Sequence, residues 1–191
     1  WSSDVCSSDL RALLYTHLSN KTGTEIGRFG LGFKSISGIS DNPQIFSRSV
    51  SFEFSRAQSA EFLSTELDRH YRPSDVPALR LAWTLDPTVE FRSGMHRDGR
   101  SGADTVVKVP LKKGAAAQLS EEIKDFDESF NLFAPHVRVL DLVDRVGEVS
   151  RRFAAAKRGN RVTLTTQDGE REWLVVSAEH KPSPQALESA G

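Results

Sequence analysis

Apolar and polar positions alternate most regularly between Gln44 and Phe54, where Ile45-Phe46 is followed by Val50-Ser51-Phe52-Glu53-Phe54. That period of two predicts a β-hairpin. Residues 79–85 and 105–111 (TVVKVPL) read as further strands, the second rich in β-branched residues. Residues 56–67 fit a short helix with Phe62 and Leu63 as its apolar contacts. Between Leu119 and Phe133 the apolar residues Ile123, Phe126 and Phe130 fall on one face, which predicts a single amphipathic helix. After it, residues 137–143, 161–166 and 172–177 read as strands. The last two are joined by Gln167-Asp168-Gly169, a hairpin signal. Toward the N terminus, residues 11–18 fit a helix end and residues 19–25 a polar loop. Residues 26–39 read as a glycine-rich loop running into a helix. Residues 87–104, rich in glycine and arginine, read as an insertion between strands.

Composition narrows the classes. A length of 191 residues suits one domain, or one and part of another. With 38% hydrophobic and 27% charged residues and no run of 18 apolar positions, no membrane helix is predicted and a cytoplasmic location is expected. A net charge of −1 speaks against a dedicated nucleic-acid binder. One cysteine, Cys6, excludes a disulfide framework and a zinc ribbon. The opening WSSDVCSSDL resembles a translated sequencing adapter, and the only methionine is Met95. Residues 1–10 are therefore set aside as foreign to the fold, and the gene is expected to be truncated before Arg11. Setting them aside removes Asp4 and Asp9, which moves the net charge from −1 to +1.

One segment carries chemistry. Glu25-Ile26-Gly27-Arg28-Phe29-Gly30-Leu31-Gly32-Phe33-Lys34-Ser35 sets three glycines in a Gly-x-x-Gly-x-Gly array just before an apolar-periodic stretch. Glycines let a ligand approach the backbone closely. The unpaired amides of a following helix start attract anions. The same spacing equally suits a tight loop packed on a sheet. A Walker A loop requires lysine directly after the last glycine, and here Phe33 intervenes. Read from Gly30 as Gly-x-Gly-x-x-Gly, the pattern meets Ser35 where the third glycine belongs.

Residues 26–35 resemble the third nucleotide-binding motif of the GHKL superfamily, which includes gyrase B, heat-shock chaperone, histidine kinase and MutL ATPases. The resemblance is nearest to the chaperone-like and sacsin-like branch. It implies an α+β fold with a partial Bergerat-type sandwich, whose mixed sheet is covered on one face by helices. It also implies that Gly27, Arg28, Phe29, Gly30, Leu31, Gly32, Phe33 and Lys34 hold ATP phosphates beneath a mobile lid. Ser19-Asn20-Lys21-Thr22-Gly23 is similar to the lid of that branch. Gly102-Ala103-Asp104-Thr105-Val106-Val107-Lys108-Val109 is similar to its late strand, which would make Thr105 the residue toward adenine. Two residues separate Gly102 from Thr105 where the chaperones have none, and an ordinary β-branched packing residue accounts for Thr105 as well.

In that family the catalytic glutamate and the magnesium-binding asparagine lie on a helix before the lid, followed by an adenine-binding aspartate. None of these can be assigned in residues 11–20. The expected layout is thus the later part of an ATP-binding domain over residues 11–132 and the start of a β-rich domain over 133–191. ATP and Mg2+ are the implied cofactors, with no catalytic residue and no metal ligand in this chain. Whether the parent protein hydrolyses ATP stays open; the alternative is a non-catalytic GHKL-like scaffold. His17, His70, His96, His136 and His180 show no metal spacing. The acids Glu121, Glu122, Asp125, Asp127 and Glu128 read as a solvated helix face. Arg151, Arg152, Lys157, Arg158 and Arg161 form a basic run that solubility explains.

Overall fold

A computed structural model describes residues 10, 14, 32–47, 50–86, 88, 105–134 and 136–176. The chain divides into two compact units, Trp1–Ala116 and Ala117–Gly191. Helices and two antiparallel sheets give an α+β class.

In the first unit, β1 (Gln44–Ser47) and β2 (Phe52–Glu53) form the hairpin that alternation predicts, with Gln44 opposite Glu53 and Ile45 opposite Phe52. β3 (Trp83–Thr84) joins β2, and β4 (Thr105–Lys108) joins β1, giving the order β3-β2-β1-β4. Every described pair is antiparallel, where the family resemblance implies a mixed sheet. Ile45, Phe52 and Phe54 form the buried core, and Leu10, Leu14, Phe33, Val50, Leu79 and Ala82 pack around it. The Phe52 and Phe54 rings meet edge-on at 5.6 Å, and Phe33 lies 6.0 Å from Phe54. Burying each such ring stabilises the fold by about 1.5–3 kcal/mol. Leu10, from the segment set aside as foreign, thus packs on this core; residues 1–9 lie outside the described residues.

α1 (Arg56–Glu66) starts at Ser55, whose hydroxyl accepts a hydrogen bond from the Gln58 amide at 3.3 Å. Its buried face is made by Ser59 and Ala60 rather than by Phe62 and Leu63. Small side chains bring the helix backbone close to its neighbours, and Phe62 is left 42% exposed, edge-on to Trp83 at 5.6 Å. The Trp83 indole N–H donates to the Ser59 hydroxyl at 3.3 Å, tying β3 to α1. The strand predicted over 79–85 is confined to Trp83–Thr84. Except for residue 88, the insertion predicted over 87–104 lies outside the described residues.

The second unit is built on a meander of β5 (Val139–Asp144), β6 (Val149–Arg158), β7 (Arg161–Thr166) and β8 (Gly169–Leu174), antiparallel throughout. Arg158 pairs with Arg161 across Gly159-Asn160, and Thr166 pairs with Gly169 across Gln167-Asp168. Both tight turns use a glycine at positive φ, +61° at Gly159 and +124° at Gly169. Phe153, Val162 and Leu164 form the buried face of the sheet.

The single helix predicted over residues 119–133 is two helices, α2 (Ala115–Lys124) and α3 (Phe130–Phe133). The break has a local cause. One Arg151 nitrogen takes the carbonyls of Ile123, Lys124 and Phe126 at 3.2, 2.7 and 2.8 Å, satisfying the acceptors at the end of α2. The Asp127 carboxylate then accepts from the Ser129 amide at 2.8 Å, turning the chain into α3. Phe126 still meets Phe130 and Phe153, each at 5.6 Å, so the apolar periodicity survives the break as packing.

Candidate functional site

Of the residues that the resemblance assigns to ATP, Gly27, Arg28, Phe29, Gly30 and Leu31 lie outside the described residues. Gly32, Phe33, Lys34 and Thr105 are described, and each has a distinct setting.

Gly32 leads into a 3-10 helix over Phe33–Gly38, where an α-helical continuation would be the ordinary outcome. Its backbone is right-handed, with φ −55° and ψ −55°, so glycine is not needed there for its conformational range. Among the described residues, a Cβ at this exposed position would meet nothing within 4 Å, so Gly32 borders open space. Phe33, by contrast, belongs to the core and anchors the start of the turn against Phe54. The turn is braced from within by Ser35, which donates to the Gly32 carbonyl at 2.7 Å, and by Ser37, which donates to the Lys34 carbonyl at 2.9 Å.

The far end of the turn is fixed to the segment after β4. The Lys112 amide donates to the Ile39 carbonyl at 2.8 Å, and Lys112 Nζ donates to the Ser37 carbonyl at 2.9 Å. The fully buried Ser40 hydroxyl donates to the Pro110 carbonyl at 2.7 Å. Lys34 itself is half-buried and lines a cleft of about 310 Å³ together with Ser37, Arg56 and Arg80.

Thr105 opens β4 opposite Ser47, and the two hydroxyls are 3.3 Å apart.

No protein-family model, curated protein or solved structure matches this chain.

Sequence reasoning overlooked two features that the fold creates. Glu53, an outward position in a simple alternation, is buried and accepts the side-chain amides of Gln44 and Gln58, both at 2.8 Å. Arg56 and Arg80, unremarkable in the sequence, arrive beside Lys34. The basic run is dispersed instead. Arg151 caps α2, while Arg152 and Arg161 pair with Asp141 and Glu172 at 3.3 and 3.0 Å. Of the acidic run, Glu128 pairs with Arg171 at 2.7 Å and Glu121 with Lys124 at 2.6 Å. Among the described residues, no group of three His, Cys, Asp or Glu could hold a metal, and no helix is long and apolar enough to cross a membrane.

Proposed function

We propose that residues 11–132 are the lid and phosphate-cradle part of a chaperone-like, sacsin-like GHKL ATP-binding domain, and that residues 133–191 begin a β-rich domain. The observation that carries this reading is the Ile26–Ser35 segment. Its ten residues fit that superfamily's third motif, and its described end enters a turn anchored in the core by Phe33, with open space beside Gly32.

In this reading the chain's own contribution is binding. Amides of Gly27–Gly32 donate to the triphosphate oxygens, where preorganised donors in a water-poor site are worth more than in solvent. Lys34 adds a positive charge at the same corner. Thr105 offers its hydroxyl toward the adenine. The described residues fit ATP in two respects, room against the backbone at Gly32 and a cation at Lys34. They do not supply a magnesium site. When bound, magnesium neutralises charge on the triphosphate, and its ligand is one that the family places before the lid. No hydrolytic step is assigned to the described residues.

Titration calorimetry of ATP into the 191-residue chain tests the proposal, with Gly30→Val as the control. Loss of binding in a variant of unchanged circular dichroism supports it. Equal affinity in both chains refutes it.

A further inference from the structure

We propose that Lys112 is a positioning residue for the glycine array: by holding the far end of the 3-10 turn, it sets where Gly32 and Lys34 stand. The inference rests on the nucleotide reading and adds to it a residue that the motif does not contain. The turn over Phe33–Gly38 is six residues long. Three-ten runs beyond three or four residues are uncommon, because their hydrogen bonds are poorly aligned. Such a run needs holding from outside. Its near end is held by the Phe33 ring, 6.0 Å from that of Phe54 in the core. At its far end the Ile36 carbonyl takes the amides of both Ile39 and Ser40, at 3.0 and 2.9 Å. The Ser40 amide, which a further 3-10 step would give to the Ser37 carbonyl, is thus already committed. Lys112 Nζ donates to that Ser37 carbonyl at 2.9 Å. A cation among the last carbonyls of a helix also meets the negative end of its dipole.

Lys112 Nζ also lies 3.0 Å from Asp41 Oδ1, which Arg56 Nε shares at 3.1 Å. The Asp41 side chain is 53% exposed, so solvent screens this ion pair, and the bond to Ser37 is the stronger restraint. Winding is what that bond controls. Without the ammonium the Ser37 carbonyl loses its donor, and α-helical winding, which pairs each carbonyl with the amide four residues on, would offer it the Asp41 amide. A 3-10 helix rises about 2.0 Å per residue and an α-helix about 1.5 Å, so rewinding six residues shortens the turn by about 3 Å. Three bonds independent of the ammonium keep the far end in place. The Lys112 amide donates to the Ile39 carbonyl at 2.8 Å, the Ser40 hydroxyl to the Pro110 carbonyl at 2.7 Å and the Arg56 amide to the Asp41 carbonyl at 3.2 Å. The shortening is therefore taken up at the other end, the Gly32–Lys34 corner where the array delivers its ligand.

The test titrates ATP into the 191-residue chain, Lys112→Met and Lys112→Arg, with amide NMR following the turn. Methionine keeps the carbon stem and removes the donors. In Lys112→Met the Phe33–Gly38 amides should shift before any ligand is added, and ATP should bind about fivefold more weakly. Affinities are taken where urea unfolding shows each chain fully folded, so lost stability does not count as lost affinity. Lys112→Arg still donates to a carbonyl and should restore the affinity to within about twofold. Lys112→Gln stands in should Lys112→Met fail to fold. Undiminished affinity in Lys112→Met, or equal weakening in Lys112→Met and Lys112→Arg, overturns the positioning role and leaves the nucleotide reading standing. Failure of the unsubstituted chain to bind ATP overturns both.

Discussion

Gln58 Nε2 donates to Glu53 Oε1 at 2.8 Å, joining the first turn of α1 to the end of β2. The Gln58 amide is meanwhile held by Ser55, and the other Glu53 oxygen takes Gln44 of β1. A single buried carboxylate therefore sets two strands and a helix against one another, next to the residue, Arg56, that reaches the cleft.

Glu53→Gln tests that role. An amide matches the carboxylate in shape but offers only one acceptor, so one of the two glutamine partners loses its bond. A destabilisation of about 1–3 kcal/mol is expected, the cost of leaving a buried polar group unmatched. Urea unfolding followed by circular dichroism measures it; a change within error would show that water replaces the lost bond freely.

Arg151 should be irreplaceable even by lysine. Its guanidinium reaches three carbonyls while its carbon lies 4.9 Å from the centre of the Phe153 ring. All three carbonyls are met by one terminal nitrogen, Nη1, while the planar group behind it lies over the ring, and a lysine side chain is one atom shorter and has no such plane. Arg151→Lys should lower stability by about 1.5–3 kcal/mol, the range for a hydrogen bond to a charged group. Amide hydrogen exchange should accelerate first at the end of α2. Protection equal to the unsubstituted chain would show that the α2 terminus does not depend on this side chain.

Acid should weaken the second unit. The Gly147 amide, followed by the Ser120 hydroxyl, holds the Asp144 carboxyl below the ordinary carboxylate range against the opposing effect of burial. A carboxyl depressed in the folded state contributes its stability above its unfolded-state value, about 3.9. That contribution disappears as pH falls through the lower folded-state value. Asp127, lowered by the Ser129 amide, acts with the same sign. Thermal unfolding from pH 7 down to pH 2 should show stability falling below about pH 4, with a shallower fall in Asp144→Asn. Parallel curves for the two chains would remove Asp144 from the account.

The β1–β2 hairpin was legible because Phe52 and Phe54 obey a period of two, and their rings do fill the core. The β7–β8 turn was legible because Gly169 takes a positive φ that glycine tolerates. β6 was not. Its sequence VSRRFAAAKR lacks the β-branched run that marks strands, and only pairing with β5 and β7 makes it one. The break between α2 and α3 was equally hidden, since the arginine that causes it lies 25 residues beyond Phe126. At the candidate site the glycine array stands out in sequence. The convergence of Arg56 and Arg80 on Lys34 exists only in three dimensions.

Thr105→Val separates an adenine-facing hydroxyl from a packing residue. Valine keeps the branched shape that suits β4, so stability should change by about 1 kcal/mol or less. ATP affinity should nevertheless fall about fivefold to tenfold, the worth of one hydrogen bond. Unchanged affinity, measured by ligand-observed NMR, would leave Thr105 as a strand residue paired with Ser47.

Nucleotide binding at the glycine array decides the central claim, and Gly30→Val against the unsubstituted chain is its most direct measurement. A valine there would place a side chain where the triphosphate approaches the backbone and would penalise any positive φ. Calorimetry with ATP should give weak binding by the 191-residue chain, with a dissociation constant of about 1 mM, or about −4 kcal/mol. The variant should give no measurable heat, with its circular dichroism unchanged. The same dissociation constant for both chains would contradict the phosphate-cradle assignment.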